Sequence, residues 1–198
     1  MCKDHNIIEN IAVVTQEKSS TVHTKCIEIL CNLTRFPGNN SALSRSVQVF
    51  DALNTCGASD FDEDRLWTMR SLQNMSADPS CRVKLATASI LEMMRTSAAN
   101  LRQKDEHEAA VSALANLCTD ASTAVQVANS NKVLPTLISI ANNTEYSPEV
   151  QFHACNAISR IAVWFQTFAS ATTIPDVTNY DELPTLEAKG HMRWDCVE

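Results

Sequence analysis

Glycine is scarce in this sequence, with only three glycines among 198 residues. No stretch alternates apolar and polar residues as a half-buried strand would. Aromatic residues are also few, at 6%, although 44% of the residues are hydrophobic and 20% are charged. The composition therefore predicts a folded protein that is helical almost throughout.

Signals for membranes, secretion and nucleic acids are missing as well. No apolar stretch approaches the ~20 residues of a transmembrane helix. Asp4 and Glu9 interrupt any apolar core that a secretory signal would need near the first residue. The net charge is −7 and no run of five basic residues occurs, whereas nonspecific nucleic-acid binding requires clustered lysine and arginine. We expect a cytoplasmic or nuclear protein with no nucleic-acid and no membrane partner.

Catalytic and metal-binding motifs are also lacking. The eight cysteines include no C-x-x-C pair, and we interpret them as structural thiols in a reducing compartment. His23 lies one turn before Cys26, but no second pair has the spacing of zinc ligands. His107 and Glu108 begin like H-E-x-x-H but lack the second histidine. We predict no catalytic residue, no cofactor and no metal, and hence no enzyme.

One helical pattern recurs at a fixed interval. Asn32, Asn74 and Asn116 are each 42 residues apart, and a fourth copy has Arg160 at this anchor position after 44 residues. A period of roughly 40–47 residues with two or three helices per unit is typical of an α-solenoid. Two anchors also start glycosylation tripeptides (Asn32-Leu33-Thr34 and Asn74-Met75-Ser76), which matter only in a secreted protein.

Each long helix has an apolar stripe and a polar stripe. Residues six and two before the anchor and one after it are mostly apolar, and this spacing places them on one face that we predict to be core. Residues seven and four before the anchor lie with the anchor itself on a second, more polar stripe. The polar stripe contains Lys25, Glu28 and Asn32; Trp67, Arg70 and Asn74; Ala109, Ser112 and Asn116; and His153, Asn156 and Arg160.

Residues 108–117 (Glu-Ala-Ala-Val-Ser-Ala-Leu-Ala-Asn-Leu) resemble the third helix of an armadillo repeat. Residues 133–138 (Val-Leu-Pro-Thr-Leu-Ile) resemble the second helix of the next unit, including its proline. The resemblance extends over most of residues 7–168. It implies an all-α fold, a right-handed armadillo-like α-solenoid of about four repeats.

The resemblance also implies a function. In armadillo proteins the third helices line a concave groove, and the asparagine hydrogen-bonds the backbone of an extended peptide. This similarity implies a scaffold or adaptor whose partner is a protein with an extended segment. The candidate groove residues are Asn32, Asn74, Asn116, Arg160, Trp67, Arg70, Ser112, Asn156 and Trp164.

The polar stripe departs from that of importin-α-like armadillo proteins. Those proteins carry a tryptophan four residues before the asparagine, where this chain has Glu28, Arg70, Ser112 and Asn156. We therefore expect a generic member of the armadillo family, not one close to importin-α, and no classical nuclear-import cargo.

Other roles for these residues remain open. The asparagines could hydrogen-bond the backbone of a neighbouring loop, and Trp67 could pack under such a loop. Trp164, Phe165 and Phe168 could cover the end of the solenoid. The alternative function is a regulatory or structural subunit of a larger assembly that docks through the solenoid ends, so the chain is a monomer or part of a hetero-assembly.

The periodic pattern ends near residue 170. Residues 171–198 contain six acidic residues against two basic ones and show no helical periodicity. We predict an armadillo-like helical repeat domain over residues 1–170 and a flexible, disordered acidic tail over residues 171–198.

Overall fold

The computed structural model describes residues 5–15, 20–130 and 132–172. Within these ranges the chain forms eleven α-helices and no strand. The helices are α1 (His5–Val14), α2 (Ser20–Thr34), α3 (Pro37–Leu43), α4 (Val47–Gly57), α5 (Asp62–Ala77), α6 (Pro79–Leu85), α7 (Ala88–Ala98), α8 (Lys104–Leu117), α9 (Ala121–Asn129), α10 (Val133–Asn142) and α11 (Pro148–Thr172).

The helices follow a three-helix repeat. Helices α3 to α5, α6 to α8 and α9 to α11 form three units, and α1 and α2 correspond to the last two helices of another. The third helices α2, α5, α8 and α11 pack on one another in that order, and so do the second helices α1, α4, α7 and α10. These two rows build the predicted α-solenoid of about four repeats.

Proline sets the boundary between units. Helices α2 and α5 end at Thr34 and Ala77, just before Pro37 and Pro79. Each proline then starts a short helix, where its missing N–H group is no loss because first-turn N–H groups have no intrahelical acceptor. At α6 the Asp78 side chain accepts a hydrogen bond from the backbone N–H of Ser80 (2.9 Å) and caps the helix.

The predicted apolar stripe is the core of the solenoid. Leu30, Leu72 and Leu114, two residues before their anchors, are buried. Six residues before the anchor, Thr68 and Ala110 are fully buried, and such small residues allow close packing of neighbouring helices. The period of the sequence therefore predicted the core face of α5 and α8 correctly. In α2 and α11 the same stripe lies partly at the surface, because Cys26, Leu33 and Ile158 are half-buried.

The end of the last helix lies slightly beyond the predicted limit. At the start of helix α11 the Ser147 hydroxyl accepts a hydrogen bond from the N–H of Val150 (3.4 Å), and the helix continues to Thr172. The predicted acidic tail lies outside the described residues from position 173 onward. None of the described helices is both long enough and apolar enough to cross a membrane.

Candidate functional site

The polar stripes of α2 and α5 line a depression of about 350 Å³, called here the α2–α5 depression. Four predicted site residues meet there, namely Asn32, Trp67, Arg70 and Asn74. The depression is completed by Glu28, Cys31, Arg35 and Gln73. The structure thus brings together part of the predicted groove on neighbouring third helices.

Trp67 and Arg70 form the aromatic and cationic part of this depression. The guanidinium carbon of Arg70 lies 5.3 Å from the centre of the Trp67 ring, within the range of a cation–π interaction. Arg70 also donates from Nη2 to Asp105 Oδ2 of α8 (2.8 Å). Trp67 is half-buried against the core, so it packs inside the solenoid and also lines the surface depression.

The anchor asparagines connect successive third helices. Asn74 Nδ2 donates to Thr34 Oγ1 (3.0 Å), and Asn116 Nδ2 donates to Ser76 Oγ (3.2 Å). Each acceptor lies two residues after the anchor of the preceding repeat. The asparagine ladder, defined by these two contacts, therefore holds α2, α5 and α8 in register.

The hydroxyl groups of Thr34 and Ser76 determine which way the side-chain amides of Asn74 and Asn116 point. Thr34 donates its hydroxyl hydrogen to Cys31 O (2.6 Å), and Ser76 donates to Gln73 O (2.9 Å). Because each hydroxyl hydrogen is used within its own helix, the hydroxyl oxygen accepts from the asparagine NH₂ group. The amide carbonyl oxygen and the second N–H are thereby left for a ligand, and Asn74 and Asn116 are only half-buried.

The fourth copy makes a different contact. Arg160 donates from Nη1 to Ala115 O (2.9 Å), and the Trp164 indole N–H donates to Cys118 O (3.3 Å). Carbonyl groups at a helix C-terminus have no intrahelical donor, and a cation is favourable there. Arg160 and Trp164 therefore fasten α11 to the end of α8.

Five predicted site residues lie outside the α2–α5 depression. Ser112 is buried, whereas Asn116, Asn156, Arg160 and Trp164 are half-buried. They follow the row of third helices but do not line this depression. Their part in binding stays a prediction.

The depression carries more positive than negative charge. Its lining contains Arg35 and Arg70 against one carboxylate, Glu28, and Glu28 is paired with Lys25 (2.8 Å). Arg35 is exposed, and no carboxylate of the described residues forms an ion pair with it. Burial raises the pKa of the Cys31 thiol, which keeps it uncharged. The arrangement favours a ligand with an acidic group near Arg35.

A buried polar cluster at the start of α5 was not predicted. Asp64 accepts hydrogen bonds from Thr24 Oγ1 (2.7 Å) and Ser59 Oγ (2.8 Å), and its Oδ2 lies 3.3 Å from His23 Nε2. The same ring nitrogen lies 3.1 Å from Cys56 Sγ. A catalytic relay needs both ring nitrogens, one for the nucleophile and one for the acid. Burial raises the pKa of Cys56 to about 12, with a smaller contribution from the nearby Asp64, so the thiol stays protonated in this cluster.

The same pattern returns one repeat later. Asp64 and Glu106 both lie ten residues before their anchors, and His23 and Arg65 lie nine before theirs. Arg65 Nε contacts Glu106 Oε1 at 3.4 Å, as His23 contacts Asp64. These buried carboxylates join the N-terminal ends of successive third helices. The 42-residue spacing of the two acids was the signal in the sequence.

The cysteines are expected to differ sharply in reactivity. Cys56 and Cys118 are fully buried, and burial raises the pKa of each to about 12, whereas Cys155 is exposed. Because the thiolate is the nucleophile, iodoacetamide at mildly alkaline pH should modify Cys155 while Cys56 and Cys118 react only after denaturation. Peptide mapping by mass spectrometry measures this order, and equal labelling of the three thiols in the native protein would contradict it.

No group of three or more His, Cys, Asp or Glu side chains in the described ranges has a metal-binding arrangement.

The structure is similar to that of a computationally designed armadillo repeat protein for modular peptide recognition. Its TM-score is 0.69 at 16% identity, and the match covers 83% of this chain and 70% of that one. The fold is that of armadillo repeats.

Two further solved structures agree with the armadillo fold. A designed armadillo repeat protein in complex with the peptide (KR)4 matches with a TM-score of 0.67 and 17% identity, over 84% of this chain and 71% of that one. An engineered protein matches with a TM-score of 0.68 and 18% identity, over 84% and 68% of the two chains. No protein-family model and no curated protein matches the sequence. The predicted armadillo-like solenoid is thereby confirmed as a fold.

Proposed function

We propose that this armadillo solenoid is a protein–protein interaction scaffold or adaptor that binds an extended segment of a partner along its third helices. The observation that carries this proposal is the asparagine ladder, whose fixed amides leave a carbonyl oxygen and an N–H for a peptide backbone. It acts without a cofactor in the cytoplasm or nucleus, as a monomer or within a hetero-assembly. Proteins with the armadillo fold are, as a class, non-enzymatic binding scaffolds, which agrees with the proposed binding role.

The ladder suits the spacing of an extended chain. Neighbouring helices pack ~8–10 Å apart, and an extended peptide advances ~3.3 Å per residue. One anchor amide therefore meets about every third residue of the ligand. A ladder of this kind sets the direction and register of the bound segment.

The ladder is too weak to hold a ligand alone. Each hydrogen bond contributes ~0.5–1.5 kcal/mol, so one bond from each of the three anchor asparagines gives ~1.5–4.5 kcal/mol in total, whereas millimolar binding already needs about 4 kcal/mol. Tryptophan and arginine dominate interface affinity, and Trp67 with Arg70 supplies both beside Asn74. The α2–α5 depression is therefore the main anchor.

The charges of the depression indicate the ligand. Arg35 has no ion-pair partner in the described part of the chain, while Arg70 shares its charge with Asp105. A segment with an acidic side chain near Arg35 fits this surface. Its charge would be opposite to that of the (KR)4 peptide bound by one structural neighbour.

A second candidate function has support from the last helix. Val163 and Phe165 of α11 are 49% and 46% exposed. Exposed apolar side chains of this size are suited to contact with another protein. They favour the alternative of a regulatory or structural subunit that docks through the end of the solenoid.

Site-specific photo-cross-linking distinguishes these two functions. We would introduce p-benzoylphenylalanine at Gln73 in the depression, at Phe165 on α11, or at the exposed Ser122 of α9 as a control, and irradiate living cells. The proposal predicts a discrete cross-linked partner from position 73 and none from position 122. Cross-linking only from position 165 would support the alternative and contradict groove binding.

A further inference from the structure

A second cleft, of about 560 Å³, lies between the second helices α4 and α7 and reaches the start of α8. It shares no residue with the α2–α5 depression. Its polar lining includes Asn54, Ser97 and Asn100, and its charged lining consists of Arg65, Glu92 and Glu106. Glu92 is paired with Arg95, and Gly57 and Met93 form part of the wall. We call it the α4–α7 cleft.

Glu106 gives the cleft an unsatisfied acceptor. Its side chain is 2% exposed, and Oε1 contacts Arg65 Nε, but Oε2 has no hydrogen-bond partner among the described residues. Arg65 also forms an ion pair with Asp62, so a single guanidinium group neutralises two carboxylates. A buried carboxylate oxygen without a donor is costly, and a cationic donor in the cleft removes this cost.

We propose that the α4–α7 cleft binds the side chain of a lysine from a partner polypeptide, with its ammonium group on Glu106 Oε2. Only one oxygen of Glu106 is free, which suits the point charge of an ammonium group better than the two-pronged guanidinium group. The uncharged polar residues Asn54 and Asn100 line the same cleft and offer further acceptors for the ammonium hydrogens.

The wall of the cleft suits the methylene stem of lysine. Met93 is half-buried there, and it lies directly on Gly57, since a Cβ at that position would come within 1.7 Å of Met93 Sδ. The polarizable thioether adapts to an apolar chain, and lysine stems pack along apolar surfaces while the charge stays in a polar environment.

Continuity with a neighbouring depression points to a polypeptide as the source of the lysine. That depression, of about 510 Å³, shares Asn54 and Ser89 with the cleft and contains Arg45 and Lys84. Both cations donate only to neutral oxygens of Ser41 and Ser44 in the described part of the chain. A polypeptide segment with a lysine at Glu106 and an acidic residue near Arg45 and Lys84 matches the charges of the cleft and of the neighbouring depression.

The test uses N-acetyl-lysine-N-methylamide as the probe, with the norleucine analogue as the uncharged control and n-butylamine as a free alkylamine. Two-dimensional ¹H–¹⁵N NMR spectra follow the backbone amides of Gly57, Met93 and Asn100 during titration. The lysine probe is expected to shift these signals saturably at millimolar concentration, and the norleucine analogue is expected to leave them unchanged.

Three variants locate the binding. Glu106→Gln should weaken lysine binding by about tenfold or more, because a hydrogen bond to a charged group is lost. Glu108→Gln makes the same charge change two residues away on α8, outside the cleft, and should bind as the wild type does. Thr96→Phe fills the cleft from an exposed position without removing Glu106 or Arg65, and it should also abolish binding.

The proposal is overturned if the wild-type signals do not move saturably, or if the norleucine analogue shifts them equally. Unchanged binding to both folded Glu106→Gln and folded Thr96→Phe also overturns it. Equal affinity for n-butylamine and for an acetylated peptide that carries a lysine and a nearby acidic residue would assign the cleft to free alkylamines and reject the polypeptide source.

Discussion

Replacing Asp64 with alanine is expected to lower the free energy of unfolding by ~3–5 kcal/mol, the loss typical of breaking a buried charged contact. Asp64 is 1% exposed and accepts hydrogen bonds from Thr24 and Ser59 while it contacts His23. The substitution leaves these donors without their acceptor and weakens the contact between α5 and the start of α2. Urea denaturation followed by circular dichroism measures the change.

Glu63→Ala is the matched control for Asp64→Ala. Glu63 lies in the same first turn of α5 but is exposed, so its removal should cost only the ~0.3–1 kcal/mol of a surface charge near a helix N-terminus. Equal losses in the two variants would show that Asp64 acts through the helix dipole alone and would refute the buried cluster as a source of stability.

Truncating Leu72 to alanine is expected to cost ~2–5 kcal/mol, as for other fully buried leucines. Leu72 lies two residues before the anchor of α5, at the centre of the apolar stripe, and is fully buried. The missing methyl groups leave a cavity where α5 packs against its neighbours. Since a domain of this size has only ~5–15 kcal/mol of stability, the melting temperature should fall markedly.

Leu101→Ala provides the comparison for Leu72→Ala. Leu101 lies in the loop before α8 and is 40% exposed, so its truncation should change stability by less than about 1 kcal/mol. Chemical denaturation of the two variants under the same conditions tests the core assignment. A loss at Leu72 no larger than that at Leu101 would contradict it.

The sequence was sufficient to predict the fold because the repeat constrains it strongly. A 42-residue period places Leu30, Leu72 and Leu114 at equivalent positions, and each must be buried by the neighbouring unit. The apolar stripe therefore predicts both the core and the stacking of the third helices. The period alone did not show the short helices α3 and α6, which have only 7 residues each.

The site was predicted less completely. The position of the asparagines was read from the sequence, but their structural contacts were not, although Thr34 and Ser76 were visible in the tripeptides after Asn32 and Asn74. Those hydroxyls are the acceptors of the next repeat's asparagine. The structure thus explains the hydroxyl residue of each tripeptide as a hydrogen-bond acceptor, without glycosylation.

Other parts of the site depend on contacts between distant residues. Asp64 and Glu106 lie in the first turns of α5 and α8, where an exposed acidic residue would complement the helix dipole, yet both are buried. Their partners come from the preceding repeat, about 40 residues away. Sequence periodicity predicts which residues are equivalent, but it does not show which side chains meet between one repeat and the next.

The central claim is that the third helices bind a partner. Affinity capture with mass spectrometry would compare the wild type with Trp67→Ala/Asn74→Ala/Asn116→Ala and with Val163→Ala/Phe165→Ala, a matched change at the end of α11. Because Asn74 and Asn116 also join successive repeats, circular dichroism must first show that each variant is folded. Groove binding predicts specific partners that the triple variant loses and the α11 variant keeps, and the reverse pattern would contradict it.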